Sequence, residues 1–184
     1  MALMYSKMIP LGLPAPDFSL PDSYGKVWSL RDFNDSRAVI VVFMCNHCPY
    51  VKAVLDRLIG LQLDYKGKGV QLIGINSNDV EKYPDDSLEA MKELIAVKKI
   101  PFPYLIDSTQ DIARAYNAVC TPDIFVYGMK RTLIYRGRVD DNWQEPERVD
   151  KEDLKNALNL VLSGKTVVND QIPSMGCSIK WKKD

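Results

Sequence analysis

No charge of either sign predominates in this chain of 184 residues, because Lys and Arg together number 24 and Asp and Glu also number 24. A protein that binds the phosphate backbone of a nucleic acid needs a surplus of Lys and Arg. The basic residues Lys180, Lys182 and Lys183 fit a solvated chain end. We therefore predict no nucleic-acid partner.

Long apolar runs are also missing from the sequence. The longest run, residues 38–45, is far shorter than the roughly 18 residues that cross a bilayer. The N-terminal segment has no charged stretch followed by an apolar one, as a secretory signal would have. We therefore expect a protein with no membrane partner and a cytoplasmic location.

Cysteine is scarce, with four residues at positions 45, 48, 120 and 177, and histidine occurs once. A chain of this length can bury a full hydrophobic core without cross-links. In a reducing compartment, cysteines are more often catalytic or metal-binding than structural. The composition and the lack of internal repeats predict a single domain over residues 1–184.

Short apolar segments alternate with segments of helical periodicity. Strands are predicted at residues 38–44, 70–75, 101–106, 124–127 and 133–139. Helices are predicted from the first cysteines toward residue 66, and at residues 88–95, 111–117 and 154–162. Asp86 and Glu89 have the spacing of a capping box at the start of the second helix. This alternation predicts an α/β fold, with the last two strands as an antiparallel hairpin.

The two ends of the chain lie outside this alternation. Phe18 and Leu20 alternate with polar residues before a turn-like segment, and Trp28 and Leu30 do so after it. This pattern predicts an N-terminal β-hairpin extension over about residues 1–36. Gly164 is placed to end the last helix, so about residues 165–184 are expected to form a C-terminal tail.

The motif Cys45-Asn46-His47-Cys48 lies between a buried strand and the first turn of an amphipathic helix. At a helix N-terminus, backbone N–H groups and the helix dipole stabilise a thiolate. We therefore predict that Cys45 is exposed, has a lowered pKa and acts as a nucleophile. Cys48, one helical turn further on, is then placed to attack the mixed disulfide and release the product.

A second motif, Thr121-Pro122, precedes an apolar strand. If this peptide bond is cis, the backbone of Thr121 is free to pair with an extended substrate segment beside the cysteines. Cys120 and Cys177 are possible additional thiols. Cys120 fits a small buried hydrophobic residue. For Cys177 an inert thiol, a third redox thiol and a partner of Cys120 all stay open, although we expect no bond between the two.

These motifs carry a resemblance to a known family. The segment APDFSLPDSYGKVWSL at residues 15–30, the strand–CNHC–helix unit and the Thr-Pro loop resemble the thioredoxin superfamily, in its peroxiredoxin-like redoxin branch. The segment GCSIKW at residues 176–181 is similar to the tails of bacterial thioredoxin-family proteins that carry CNHCPY. The match extends over nearly the whole chain.

The resemblance implies a thioredoxin-like three-layer sandwich, in which helices flank a central mixed sheet. It implies a thiol–disulfide oxidoreductase with Cys45 as nucleophile, Cys48 as resolving cysteine and Pro122 as the cis-proline. The neighbouring candidates for tuning the thiols or binding substrate are Asn46, His47 and Thr121. The redox-active disulfide is then the only cofactor. The expected partners are protein or small-molecule disulfides and thiols, with a thioredoxin- or glutathione-type electron donor.

The sequence departs from the thioredoxin pattern around this motif. Met44 replaces the Trp that precedes the first cysteine in thioredoxins. Val39 stands where thioredoxins have a buried Asp, so no proton acceptor of that kind is assigned. His47 resembles the residue found before the second cysteine in strongly oxidising members, where an N–H donor stabilises the thiolate and raises the reduction potential.

Three other functions are weighed beside thiol–disulfide exchange. Peroxiredoxins place a Thr or Ser three residues before the peroxidatic cysteine, and Val42 holds that position for Cys45. A thiol peroxidase with an antioxidant role nevertheless stays open, as does a redox-responsive binding protein without turnover. A zinc site needs about four ligands, and the chain has one His and one CxxC motif, so we predict no metal.

Overall fold

The computed structural model describes residues 3–167 and 170–183. Within them the strands are β1 (Leu3–Tyr5), β2 (Ser19–Pro21), β3 (Val27–Ser29), β4 (Ala38–Phe43), β5 (Val70–Asn76), β6 (Tyr104–Ile106), β7 (Cys120–Thr121), β8 (Asp123–Gly128), β9 (Leu133–Arg136) and β10 (Met175–Ser178). The central sheet has the order β6-β5-β4-β8-β9. The first three of these are parallel, and β8 and β9 run antiparallel to their neighbours. The predicted mixed sheet is confirmed.

Helices cover both faces of the central sheet. They are α1 (Pro49–Tyr65), α2 (Leu88–Lys98), α3 (Asp111–Ala115) and α4 (Asp153–Leu162). Ile40 and Val42 of β4 pack with α1 and α4, whereas Val41 and Phe43 face the side on which α3 lies. Because alternate residues of a strand point to opposite faces, a strand buried on both sides is apolar throughout. Within the described ranges, no helix is long and apolar enough to cross a membrane.

The N-terminal hairpin is present as predicted. Strands β2 and β3 pair antiparallel, and Phe18 and Leu20 are buried in the core on the α3 side of the sheet. Gly25 in the turn has a φ of 85°, a conformation that glycine adopts without steric cost. The hairpin therefore covers part of one face of the central sheet.

The C-terminal segment differs from the predicted tail. Strand β10 lies between β1 and β7 in a separate three-stranded antiparallel sheet. Cys177 and Ile179 are 2% and 3% exposed, so this part of the chain belongs to the core. A strand of four residues with a central glycine has too short an apolar pattern to stand out from its polar surroundings.

Two further predictions need correction. Ser87 caps α2, since its hydroxyl accepts from the backbone N–H of Ala90 at 3.3 Å, and Asp86 instead points into the protein with no exposed surface. Strand β6 begins only at Tyr104, because the prolines before it have no N–H to contribute to the sheet. The turn before α2 thereby carries a carboxylate into the molecule, and this carboxylate reaches the cysteine loop.

Candidate active site

The two cysteines of the CNHC motif lie at the junction of β4 and α1. Cys48 directly precedes the helix and Pro49 is its first residue, a position where the missing N–H removes no helical bond. Cys45 is 1% exposed and Cys48 is 0% exposed. The predicted exposure of Cys45 is therefore wrong, because Thr121 and Cys177 pack against the sulfurs.

The thiols of Cys45 and Cys48 influence each other's ionisation. The interaction with Cys45 lowers the pKa of Cys48 to about 4 despite burial, and the hydroxyl of Thr121 and the backbone N–H groups of Val51 and Cys177 contribute to this. The same interaction, together with burial and the charge of Asp86, raises the pKa of Cys45 well above its usual value. The pair thus holds one proton readily and the second weakly, a property of both residues together. The sequence assigns the lowered pKa to Cys45, whereas this interaction leaves the charge on Cys48.

Thr121 contacts both sulfurs. Its hydroxyl lowers the pKa of both thiols, whereas its carbonyl oxygen favours a proton on Cys48. Its hydroxyl lies 3.5 Å from Cys45 Sγ and can donate to a thiolate there. Its carbonyl oxygen lies 3.0 Å from Cys48 Sγ and accepts only from a protonated Cys48. The pair therefore has two ways of sharing its proton, and the role of Cys45 as nucleophile stays a prediction.

The peptide bond between Thr121 and Pro122 is cis, as the sequence predicts. The backbone of Thr121 is not free, however, because it pairs with Cys177 of β10. Pro122 also lines a groove of about 240 Å³ beside Tyr50 and Trp143, whose ring centroids are 4.4 Å apart. The edge expected for a substrate is thus occupied by the protein's own chain.

Asp86 is a buried carboxylate that fixes the loop between the cysteines. Its Oδ1 accepts from the backbone N–H groups of Asn46 at 2.7 Å and His47 at 3.2 Å. Its Oδ2 lies 2.6 Å from Nδ1 of His47 and 2.8 Å from Nδ2 of Asn78. Burial alone would raise the pKa of Asp86, but the bonds from His47 and Asn78 lower it below its ordinary value. The sequence does not reveal this role of Asp86, because its spacing from Glu89 already fits a capping box.

His47 is held between Asp86 and an aromatic ring. Its Nδ1 is 3.9 Å from Cys45 Sγ but 2.6 Å from the Asp86 carboxylate, which is the stronger acceptor for its proton. The imidazole stacks on Tyr83 with ring centroids 5.3 Å apart. Any effect of His47 on the thiol pair is therefore exerted together with the charge of Asp86, and its tuning role stays a prediction.

Asn46 contacts the protein interior. Its side-chain oxygen accepts from the hydroxyl of Tyr104 at 3.1 Å, and the residue is 8% exposed. The Tyr104 hydroxyl also lies 3.4 Å from the carbonyl oxygen of Met44. In this conformation Asn46 supports the loop and presents little surface to a substrate.

The other two cysteines have different surroundings. Cys120 Sγ lies 3.6 Å from the carbonyl oxygen of Pro122, and burial followed by the charge of Asp123 raises the pKa of Cys120 strongly. Cys177 shares a hydrogen bond with Cys48, and burial is the main cause that raises its pKa to about 11. The structure therefore places Cys177, and not Cys120, against the paired sulfurs.

Asp123 is a second buried carboxylate near the site. It follows Pro122 directly, is fully buried, and accepts from the backbone N–H of Val119 at 3.1 Å. Burial raises the pKa of Asp123 to about 7. An acidic residue at the start of an apolar strand is a signal that the sequence did contain. Asp86 and Asp123 are thus buried carboxylates of this structure, whereas position 39, where thioredoxins have a buried Asp, holds a Val.

Cys45, His47 and Asp86 are residue types that bind metal ions, and their ligand atoms lie within 4.8 Å of one another. Each of them already takes part in the hydrogen bonds described above. A metal ion at this place would replace the bond between His47 and Asp86. The predicted absence of a metal stays a prediction.

The fold and the paired cysteines define a thioredoxin-like protein. The thioredoxin domain of a thiol-disulfide oxidoreductase from Bacteroides vulgatus aligns with a TM-score of 0.60 at 21% identity, over 70% of this chain and 88% of that one. An uncharacterized conserved protein from Geobacillus kaustophilus aligns with a TM-score of 0.94 at 44% identity, over 100% of this chain and 98% of that one.

The chain belongs to the AhpC/TSA family, whose model matches residues 11–136. It is 28% identical over 114 residues to 1-Cys peroxiredoxin B of Oryza sativa subsp. indica, which is 60% of this chain and 50% of that protein. It is 26% identical over 116 residues to thiol-disulfide oxidoreductase ResA of Bacillus thuringiensis, which is 63% of this chain and 62% of that protein. The chain thus spans half the length of the first relative and less than two thirds of the second.

Proposed function

We propose that the protein is a thiol–disulfide oxidoreductase that cycles Cys45 and Cys48 between a dithiol and a disulfide. The arrangement of the two sulfurs around Thr121 carries this proposal. Cys45 Sγ lies 3.5 Å from its hydroxyl and Cys48 Sγ lies 3.0 Å from its carbonyl oxygen, so both thiols meet at the start of α1. Their interaction also lowers the pKa of the pair's first ionisation. The thiolate is the attacking species in disulfide exchange. A pair that ionises near pH 4 holds one thiolate at neutral pH without a separate base.

The proposed reaction begins when the shared proton moves to Cys48, whose S–H donates a hydrogen bond to the carbonyl oxygen of Thr121. The Cys45 thiolate attacks one sulfur of the substrate disulfide, and the other substrate sulfur leaves as a thiolate. Cys48 passes its proton to the substrate thiolate that left first and attacks the Cys45 sulfur of the mixed disulfide, which releases the second substrate sulfur as a thiolate. The substrate gains two electrons and the protein loses two, as the Cys45–Cys48 bond forms.

The proposed partners are protein or small-molecule disulfides and thiols. A thioredoxin- or glutathione-type donor would return the protein to its dithiol form, and the redox-active disulfide would be its only cofactor. A cytoplasmic location fits this cycle, because a reducing compartment keeps a resting protein of this kind in the dithiol state.

The reduction potential tests this proposal. The protein is equilibrated in glutathione or dithiothreitol buffers, its thiols are trapped, and the fraction with a Cys45–Cys48 bond is counted. We expect a reversible two-electron couple above the thioredoxin value of about −270 mV, because a stabilised thiolate stabilises the reduced form. Cys120→Ser is the matched control and keeps the couple. A complete lack of this disulfide across the range would contradict the proposal.

Trapping with Cys48→Ser assigns the nucleophile. We expect this variant to accumulate a mixed disulfide of Cys45 with glutathione, because the thiol that resolves it is missing. Cys45→Ser has no thiol at residue 45, so no adduct can form there. Its product at Cys48 should differ from the lasting mixed disulfide that Cys48→Ser accumulates. Equal accumulation of adducts on the remaining cysteine in both variants would show that either sulfur attacks.

A thiol peroxidase is the second candidate, and the hydroxyl of Thr121 is the observation that favours it. This hydroxyl lies 3.5 Å from Cys45 Sγ. The fold therefore places a hydroxyl beside Cys45, although Val42 stands where peroxiredoxins have a Thr or Ser. In this reaction the Cys45 thiolate attacks one oxygen of the peroxide, the O–O bond breaks, and the other oxygen leaves as hydroxide, so that Cys45 becomes a sulfenic acid. The Cys48 thiol then attacks the Cys45 sulfur, which forms the disulfide and releases water. Thr121→Val would slow oxidation by hydrogen peroxide far more than oxidation by glutathione disulfide. Equal slowing of both would favour thiol–disulfide exchange.

A further inference from the structure

We propose that Cys177 is a third redox-active thiol, which forms a disulfide with Cys48 by exchange within the molecule. This proposal rests on the redox pair proposed above and extends it. In this proposal β10 takes the place of a substrate segment. It brings the thiol of Cys177 to the backbone edge of Thr121, beside the sulfurs of Cys45 and Cys48.

The position of Cys177 follows from the pairing of β10 with β7. Cys177 lies opposite Thr121 and Ser178 lies opposite Cys120 in this antiparallel ladder. An extended segment that adds to an exposed strand edge gains main-chain hydrogen bonds, which is the mode expected for a substrate at Thr121. Strand β10 already makes these bonds, so Cys177 lies where a substrate residue would.

Gly176 allows this close approach. A Cβ atom at this position would overlap the carbonyl oxygen of Thr121 and would crowd the backbone nitrogen of Pro122. Its φ is not positive, so the glycine is required for space and not for an unusual backbone conformation. The residue before Cys177 is therefore fitted to bring β10 directly against the site.

The Cys177 side chain interacts with Cys48. The Cys48 sulfur accepts from the backbone N–H of Cys177, and the Cys177 thiol shares a hydrogen bond with the same sulfur. Cys177 is buried in the same core cluster as both cysteines of the motif. Cys48 therefore interacts with two thiols, those of Cys45 and Cys177.

The proposed step balances without an external oxidant. When the protein is oxidised, the Cys177 thiol gives up its proton and its sulfur attacks Cys48 of the Cys45–Cys48 disulfide. The Cys48–Cys177 bond forms, the Cys45–Cys48 bond breaks, and the electron pair leaves on Cys45, which takes up one proton. The number of disulfides is unchanged, and Cys45 becomes a thiol again while the protein stays oxidised.

Oxidation changes the surroundings of Cys177 in favour of this step. Burial is the largest cause of its raised pKa, followed by its hydrogen bond to Cys48 and the charge on Cys48. The last two causes disappear when Cys48 is in a disulfide, because that sulfur then has no charge. A lower pKa gives a larger thiolate fraction, and the thiolate is the species that attacks.

Cys120 serves as the matched control thiol for an experiment. It is fully buried one strand away, but its sulfur faces the carbonyl oxygen of Pro122 and the carboxylate of Asp123. The experiment compares Cys45→Ser with Cys45→Ser/Cys120→Ser and Cys45→Ser/Cys177→Ser. Each is treated with glutathione disulfide, quenched in acid and alkylated, and its disulfides are mapped by mass spectrometry without reduction.

We expect Cys45→Ser and Cys45→Ser/Cys120→Ser to convert the glutathione adduct of Cys48 into a Cys48–Cys177 disulfide. In Cys45→Ser/Cys177→Ser the adduct should persist at least tenfold longer. A persistent adduct in Cys45→Ser with an alkylated Cys177, or a Cys48–Cys120 bond, would overturn the inference.

Wild-type protein gives an answer that does not depend on how the variants fold. After oxidation, mapping should find Cys48–Cys177 beside Cys45–Cys48, with alkylated Cys45 in matching amount. Complete Cys45–Cys48 bonding with no Cys48–Cys177 would overturn the role of Cys177 and leave the proposed function intact. No disulfide at either cysteine of the motif would overturn the proposed function itself, and the inference with it.

Discussion

Asp86 and His47 are joined by a contact of 2.6 Å between Oδ2 of the carboxylate and Nδ1 of the imidazole. The other oxygen of Asp86 accepts from the backbone N–H groups of Asn46 and His47. A side chain from the turn before α2 thereby fixes the loop that carries both cysteines. The same negative charge opposes a thiolate on Cys45, so it also influences where the charge of the pair lies.

Removal of this carboxylate is expected to destabilise the reduced protein. Asp86→Ala leaves three buried or partly buried N–H donors of the loop and one of Asn78 without their acceptor, which costs about 3 kcal/mol. Urea unfolding measures this change in the free energy of unfolding. Asp85→Ala is the matched control, because Asp85 is exposed on the same turn and its loss should cost less than about 0.5 kcal/mol. Equal effects of the two substitutions would contradict the role of Asp86.

The pH dependence of this contribution has a definite sign. The pKa of Asp86 is lowered in the folded protein, so its contribution is complete above the unfolded pKa of about 4 and is lost as the pH falls through the lower folded value. The difference between wild type and Asp86→Ala should therefore shrink in acid. A difference that stays constant from neutral pH to pH 2 would show that the charge has no part in it.

The lowered pKa of the thiol pair is expected to depend on the interaction of Cys48 with the side chain of residue 45. The first ionisation of the wild-type protein should occur near pH 4. Cys45→Ala removes the donor and should raise the pKa of Cys48 by about two units. Cys45→Ser keeps a donor hydroxyl and should stay closer to wild type. Ultraviolet absorbance of the thiolate measures these titrations, and identical values for the two variants would rule out this cause.

The slope of the reduction potential against pH counts the protons that the reduced pair holds. Between the pKa of Cys48 and that of Cys45 the dithiol keeps one proton, so the potential should fall by about 30 mV per pH unit. Dithiothreitol in the same buffers is the control, and its two protonated thiols give about 60 mV per unit. A slope of about 60 mV for the protein near neutral pH would mean that no thiolate is present.

Substitution of Gly176 is expected to separate β10 from Thr121. The Cβ of Gly176→Ala would overlap the Thr121 carbonyl group, so we expect a loss of about 2 kcal/mol in the free energy of unfolding and faster alkylation of Cys48. Gly60→Ala is the control, because Gly60 lies in α1 with no atom near its added Cβ and should gain about 0.5 to 1 kcal/mol. Unchanged alkylation in Gly176→Ala would mean that β10 does not limit access to the sulfurs.

The sequence predicted the elements of the fold where the signal is local. The apolar run that forms β4, the helical spacing after Cys48 and the glycine after α4 each depend on residues within one segment. Errors occur where two local signals compete or where one is short. Ser87 and Asp86 are adjacent candidates for one helix cap, and β10 is a strand of four residues.

The sequence by itself determined the α/β fold, the position of Cys45 and Cys48 at the start of a helix, and the Thr121–Pro122 loop. Only the tertiary structure decided that Asp86 holds the cysteine loop, that the sulfurs are buried, and that Cys177 lies against Cys48. The physical reason is that periodicity and turn residues fix the backbone and the buried face of a segment, whereas the register in which distant segments meet depends on the packing of the whole chain.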